Sequence, residues 1–114
     1  MILHINTKDQ KTVVVSLKRD GKILKTLSED REYGSQVLLP LILKLLKRIG
    51  VNVFHLEGGT GRHLRIFGQL DSIEVETGPG SFTGLRVGVS VANALGYSLG
   101  IPINGKKLET DLVY

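Results

Sequence analysis

A chain of 114 residues, 41% apolar and with a formal charge of +4, is long enough for one small domain with a real core and too short for two. The lack of cysteine excludes a disulfide framework and a thiolate-held metal, and the opening MILHINTKDQ has neither the basic start nor the long apolar run of a signal peptide, so a cytoplasmic protein is expected. The positive excess favours acidic partners, but Lys and Arg are mixed with acids and no aromatic-rich basic module accompanies them, so the charge alone does not establish contact with RNA.

Ile2 to Ile5 is a short apolar run in which His4 alternates with Leu3 and Ile5, which puts it on a sheet face. Thr12 to Lys18 is β-branched and reads as a strand, Arg19-Asp20-Gly21 as a turn, and Lys22 to Ser28 as the returning strand. The first thirty residues therefore predict a three-stranded antiparallel meander. Ser35 is placed to cap a helix running to about Ile49, with Gly50 at its end and Pro40 in its early turns. Its apolar residues, Leu38, Leu39, Leu41, Ile42, Leu43, Leu45, Leu46 and Ile49, cover an arc of roughly 200°, about twice the stripe that one packed surface needs. Lys44, Lys47 and Arg48 hold the remaining side. Either the core around this helix is thick, or one edge packs on the sheet and the other on a second protein; the shortness of the chain favours the second reading.

Val51 to Leu70 supports two readings: a hairpin of Val51, Val53, Leu64 and Ile66 around Glu57-Gly58-Gly59-Thr60-Gly61, or a loop. Ser72 to Thr77 is a strand with Glu74 and Glu76 on one face. The Gly-rich loop Gly78 to Gly84 follows, then a second helix from about Phe82 to Leu99, ended by Gly100 and blocked by Pro102, and a short closing strand at Ile101 to Ile103. The expected fold class is α/β: a mixed sheet, antiparallel first and then parallel, with right-handed crossovers and two main helices.

No charged residue stands between Arg86 and Lys106, yet Ser90, Asn93, Ser98, the glycines and Pro102 make this stretch too polar and too broken for a membrane span. Gly84, Gly88, Ala92, Gly96 and Gly100 recur every fourth residue and form one row of minimal side chains along the helix. Each internal Gly costs about 1 kcal/mol relative to Ala. A close approach of other atoms, from within the chain or from a partner, offsets that cost through dispersion contacts.

The loop Gly78, Pro79, Gly80, Ser81, Phe82, Thr83, Gly84, together with Arg86, supports a phosphate contact on one reading, because a helix N-terminus presents free N–H groups there. It lacks the Lys-Ser/Thr ending of a P-loop, and its G-x-G-x-x-x-G spacing is one residue longer than the dinucleotide fingerprint. On the other reading it is a turn that needs glycine for backbone reasons. Ser81 is read as a cap rather than a nucleophile, and Arg86 as an anchor for an acidic partner residue or for the loop's carbonyls. His4, His55 and His63 do not fall at a metal-ligand spacing, so no metal site is expected.

The whole segment GPGSFTGLRVGVSVANALGYSLGIPING resembles the signature of the TsaB family, paralogues of the threonylcarbamoyltransferase TsaD. The start MILHINT, the Asp-Gly hairpin and SQVLLPLILKLLKRIG are similar to that family's first strands and first helix. The resemblance implies one lobe of the two-lobed, RNase H-like fold of the actin and hexokinase group. It further implies a protein that does not itself transfer the carbamoyl group but binds TsaD and works with a TsaE-type ATPase to modify the adenosine beside the tRNA anticodon, with tRNA contact indirect. No resident cofactor is implied; ATP or ADP enters only in complex with the partner. The two helices are implied to form the face that meets TsaD, or a second copy when the partner is missing. The expected contact residues are Leu38, Leu39, Ile42, Leu45, Leu46 and Ile49 of the first helix and Gly88, Ala92, Leu95 and Gly96 of the second.

Three departures from the family pattern stand out. The chain ends at Tyr114, before the second lobe that the resemblance implies. The first strand ends in Asn6-Thr7-Lys8, without the Asp and Gly that an ATP-using member needs at this turn, which argues against independent ATP hydrolysis. His55 to Gly68 reads as an insertion, Gly-rich and basic, with Arg62, His63 and Arg65.

Overall fold

Alternating apolar residues in the first strands build one greasy sheet face. The computed structural model describes residues 1–9, 11–30, 37–48 and 70–113. Strands β1 (Ile2–Asn6), β2 (Thr12–Arg19) and β3 (Lys22–Asp30) form the expected antiparallel meander, with Leu3 opposite Leu17, Ile5 opposite Val15 and Val15 opposite Leu27. The β2–β3 turn places Asp20 at φ 54° and Gly21 at φ 78°, the two positive values that a two-residue I′ hairpin requires. Strand β4 (Ser72–Val75) joins the other side of β1 in parallel, giving the order β3-β2-β1-β4. This is the mixed α/β sheet read from the sequence.

Leu3, Ile5, Val13, Val15, Leu17, Ile73 and Val75 are buried in one core under two helices. Helix α1 (Leu38–Arg48) lies over β2 and β3, and helix α2 (Phe82–Leu99) over β1 and β4, where it also touches α1. Pro40 sits in the first turn of α1, where its missing N–H has no helical partner to lose. Lys47 and Arg48 in the last turn oppose the negative end of the helix dipole. Ser81 caps α2, its Oγ accepting from the Gly84 N–H at 3.2 Å, and Gly100 closes the helix at φ 69° with its N–H directed to the Gly96 carbonyl.

The closing strand expected at Ile101 to Ile103 is reduced to one parallel bridge, Ile73 to Ile103, made by the Ile73 N–H to the Pro102 carbonyl at 2.9 Å and the Asn104 N–H to the Ile73 carbonyl at 2.8 Å. Asn104 stops it. At φ 51° its backbone turns away from the sheet, and its side-chain amide replaces the next peptide, accepting from the Val75 N–H at 2.9 Å and donating to the Val75 carbonyl at 3.0 Å. The edge of β4 is thereby satisfied without another strand residue. Ser35, Ile49, Gly50, the 51–66 hairpin reading and the 55–68 insertion lie outside the described residues. Among the described residues, no helix is long and apolar enough to cross a membrane.

Candidate interaction surface

The glycines of the 78–84 loop are taken up by the chain's own backbone. Buried Thr7 donates its Oγ1 to the Gly84 carbonyl at 2.5 Å, and the Ser81 N–H reaches the Lys8 carbonyl at 2.8 Å. A Cβ added at Gly80 would lie 2.6 Å from the Lys8 carbonyl oxygen, and one at Gly84 would overlap the Thr7 carbonyl. The N–H groups of Ser81, Gly84 and Leu85 are all engaged internally, by Lys8 O, Ser81 Oγ and Ser81 O. Close docking of the end of β1 is thus what Gly80 and Gly84 permit.

The row of small residues continues the same contact. A Cβ at Gly88 would meet the Thr7 side chain and one at Gly96 the Ile103 side chain, while Ala92 is fully buried. Gly88 and Gly96 therefore face the chain's own Thr7 and Ile103, and Ala92 between them is buried. Leu38, Ile42, Leu45 and Leu46 are likewise buried beneath α1 against the sheet. The chain does supply cover for this part of the arc, from β2, β3 and α2. Leu39 remains 45% exposed and Leu95 partly so; Ile49 lies outside the described residues.

What stays open is the outward side of the two helices. Lys44 shares a small hollow with Glu29, Val37 and Pro40, so that edge of α1 looks toward β3 and the Leu39–Leu43 edge looks toward α2. Asn93 exchanges two hydrogen bonds with the Glu109 backbone, at 2.9 and 2.8 Å, so that edge of α2 looks toward the tail and the edge bearing Val87, Val91 and Leu95 looks toward α1. An apolar seam runs between the helices as a result. Beside it, Phe82, Thr83, Arg86, Val87, Ser90 and Val91 line a shallow hollow of about 350 Å³. Phe82 is 54% exposed, and the Arg86 guanidinium lies over its ring, 4.9 Å from the centroid. Leu43, Val87 and Val91 were not among the residues picked from the sequence. Turning the small row inward on the helical wheel brings Val87 and Val91 toward the outside.

Two polar clusters lie away from this seam, one at the tail-facing edge of α2 and one on the opposite sheet face. Glu109, 5% exposed, accepts from Asn104 Nδ2 at 2.7 Å, Lys106 Nζ at 2.8 Å and the Thr110 N–H at 3.1 Å. Burial works against its ionisation, but the hydrogen bonds from Asn104, Lys106 and the Asp111 N–H outweigh it and hold the carboxyl below the usual range. On the far sheet face His4 lies 2.9 Å from Glu76 and 3.5 Å from Glu74, and Lys18 and Lys8 pair with these same carboxylates. Among the described residues, no group of His, Asp and Glu is arranged to hold a metal.

A family model described as TsaD, tRNA N6-adenosine threonylcarbamoyltransferase, matches residues 65–105. The Bacillus subtilis tRNA threonylcarbamoyladenosine biosynthesis protein TsaB is 52% identical over 42 residues, covering 36% of this chain and 18% of that protein. The protein of the same name from Buchnera aphidicola is 29% identical over 106 residues, covering 92% of this chain and 43% of its own length. The solved structure of YeaZ from Pseudomonas aeruginosa superposes with a TM-score of 0.69 at 27% identity, over 90% of this chain and 42% of that one. The chain spans less than half the length of the curated relatives it matches.

Proposed function

We propose, from the premise that sequence and fold place this chain in the TsaB/YeaZ family, that it is a non-catalytic subunit of the tRNA threonylcarbamoyladenosine machinery. It docks on a TsaD-like threonylcarbamoyltransferase, in the cytoplasm, through the outward face of α1 and α2. The observation that carries this reading is the apolar seam of Leu39, Leu43, Val87, Val91 and Leu95, in which Leu39 is 45% exposed and the other four are only partly buried. A TsaE-like ATPase acts in the same assembly, ATP or ADP is bound only there, and tRNA is reached through the partner. A supporting role rather than catalysis fits the end of β1, where Thr7 is tied to Gly84 and the Lys8 carbonyl to Ser81.

Size-exclusion chromatography and calorimetry with the TsaD-like subunit of the same organism test the reading. Co-elution at micromolar concentration is expected. Leu39→Glu combined with Val91→Glu is expected to weaken binding more than about tenfold, the scale of a lost interface anchor, while the unfolding midpoint stays put. Absence of a complex with the unaltered chain, or full binding by the double variant, overturns it.

A further inference from the structure

The two edges of the sheet are finished differently. At β4 the Ile73–Ile103 bridge and the Asn104 side chain engage the outward backbone groups. At the other edge β3 runs for nine residues, and among the described residues no strand pairs with its outer side. Alternate N–H and C=O groups of an edge strand point outward and form a template for another strand. Most side chains of β3 are exposed, with Ile23 61% and Leu24 46% open. A bulge opposite Leu17 and Lys18 interrupts the first part of the strand, which leaves Lys25 to Asp30 as its regular part. Charge is divided along the strand: Lys22 and Lys25 come first, Glu29 and Asp30 last. Lys25, Leu27 and Glu29 stand opposite Leu17, Val15 and Val13 and so share the face beneath α1, while Thr26 and Ser28 share the other.

We infer that a second copy of this chain pairs with β3, antiparallel about a two-fold axis at Leu27, and joins the two sheets into one. In that register Leu27 meets Leu27 on the axis, and Lys25 of each protomer stands opposite Glu29 of the other. Thr26 stands opposite Ser28 on the far face. A two-fold axis makes every such pair twice, so a strand that is basic at one end and acidic at the other is its own complement. Other arrangements lose this match. A parallel copy in register sets Lys25 on Lys25 and Glu29 on Glu29. An antiparallel copy centred on Thr26 sets Lys25 on Leu27 and Ile23 on Glu29, and brings Lys22 to Asp30 only across the bulge. The Leu39–Leu43 edge of α1 looks away from β3, so this pairing leaves the seam between the helices uncovered.

Sedimentation velocity of the full chain alone, from about 1 to 100 μM, tests the pairing. A concentration-dependent dimer is expected. Lys25→Glu and Glu29→Lys each set like charges opposite one another at two places, and each is expected to weaken the dimer at least about fivefold. An equimolar mixture of the two variants is expected to restore it, because each then meets its complement. Leu39→Glu combined with Val91→Glu is expected to leave the dimer intact. Lys25 is exposed, so Lys25→Glu keeps its unfolding midpoint and is decisive even where Glu29→Lys fails to fold. The inference is overturned by a chain that stays monomeric throughout the range, or by a Lys25→Glu chain that dimerises as tightly as the unaltered one. A mixture of two folded variants that stays dissociated overturns it as well, and so does a dimer that Leu39→Glu with Val91→Glu takes apart.

Discussion

The inner and outer edges of α2 are built from the same eighteen residues and do opposite things. On the inner edge Gly84, Gly88, Ala92 and Gly96 let Thr7 and Ile103 come within contact of the helix backbone. On the outer edge Phe82, Arg86, Val87 and Val91 leave a hollow that nothing in the described chain fills. The contrast teaches that a stripe of minimal side chains marks where the chain packs on itself here. The branched residues and the one cation lie on the side that the described chain leaves open. α1 repeats the division, with Leu38, Ile42, Leu45 and Leu46 sealed inside and Leu39 open.

The largest effect expected from breaking this division comes from placing the same charge on each side of α1. Leu45 is fully buried, and a glutamate there has no described partner. An unpaired buried charge costs several kcal/mol, a large share of the roughly 5–15 kcal/mol that holds a domain folded. Leu45→Glu is expected to lose the cooperative unfolding transition in circular dichroism, whereas Leu39→Glu stays within about 0.5 kcal/mol of the parent. A well-folded Leu45→Glu chain that merely fails to bind its partner would return Leu45 to the outer face.

Next in size are the glycines, where two neighbours differ in what they touch. A methyl at Gly84 overlaps the Thr7 carbonyl, which belongs to the backbone, while one at Gly88 overlaps the Thr7 hydroxyl, which belongs to a side chain. Gly84→Ala is expected to destabilise by about 3 kcal/mol, at the upper end of overpacking effects. Gly88→Ala is expected to cost about 1–2 kcal/mol, most of it recovered by adding Thr7→Ala, since Ala is otherwise the better helix former by about 1 kcal/mol. Urea midpoints for the four chains check this; a Thr7→Ala change that rescues Gly84→Ala equally well contradicts the geometry.

Much of the fold was legible because it is local. The Asp20-Gly21 turn, the alternation across Leu3, His4 and Ile5, the Ser81 cap and the Gly100 stop each depend on a few neighbouring residues. The side of each helix that faces the sheet was not legible, because it is set by contacts distant in the chain. Nothing near Gly88 in sequence announces Thr7, and nothing near Gly96 announces Ile103. The same holds for Asn104, whose side chain takes over from a strand that its neighbours Ile101 and Ile103 promise when read alone. Which residues of each helix stay open therefore follows from packing across the fold and not from the local pattern.

The smallest effect belongs to the clamp that fixes the tail-facing edge of α2, opposite the seam. The Glu109 carboxylate accepts from Asn104, Lys106 and backbone N–H groups, and its folded-state pKa lies below that of an unfolded glutamate. The sign follows by linkage. The unfolded chain takes up the proton first as pH drops, so the stability due to this carboxylate is complete above the unfolded pKa of about 4.3 and is lost as pH falls from there through the depressed folded value. Glu109→Gln keeps the shape and one acceptor oxygen, so it is expected to lower the urea midpoint modestly at pH 7 and to flatten the acid limb below about pH 4.5. Because this edge looks away from α1, the same variant is expected to bind the partner with unchanged affinity. An acid limb as steep in Glu109→Gln as in the parent assigns the pH response to other carboxylates, and a loss of binding without a loss of stability moves the interface to the tail side of the helix.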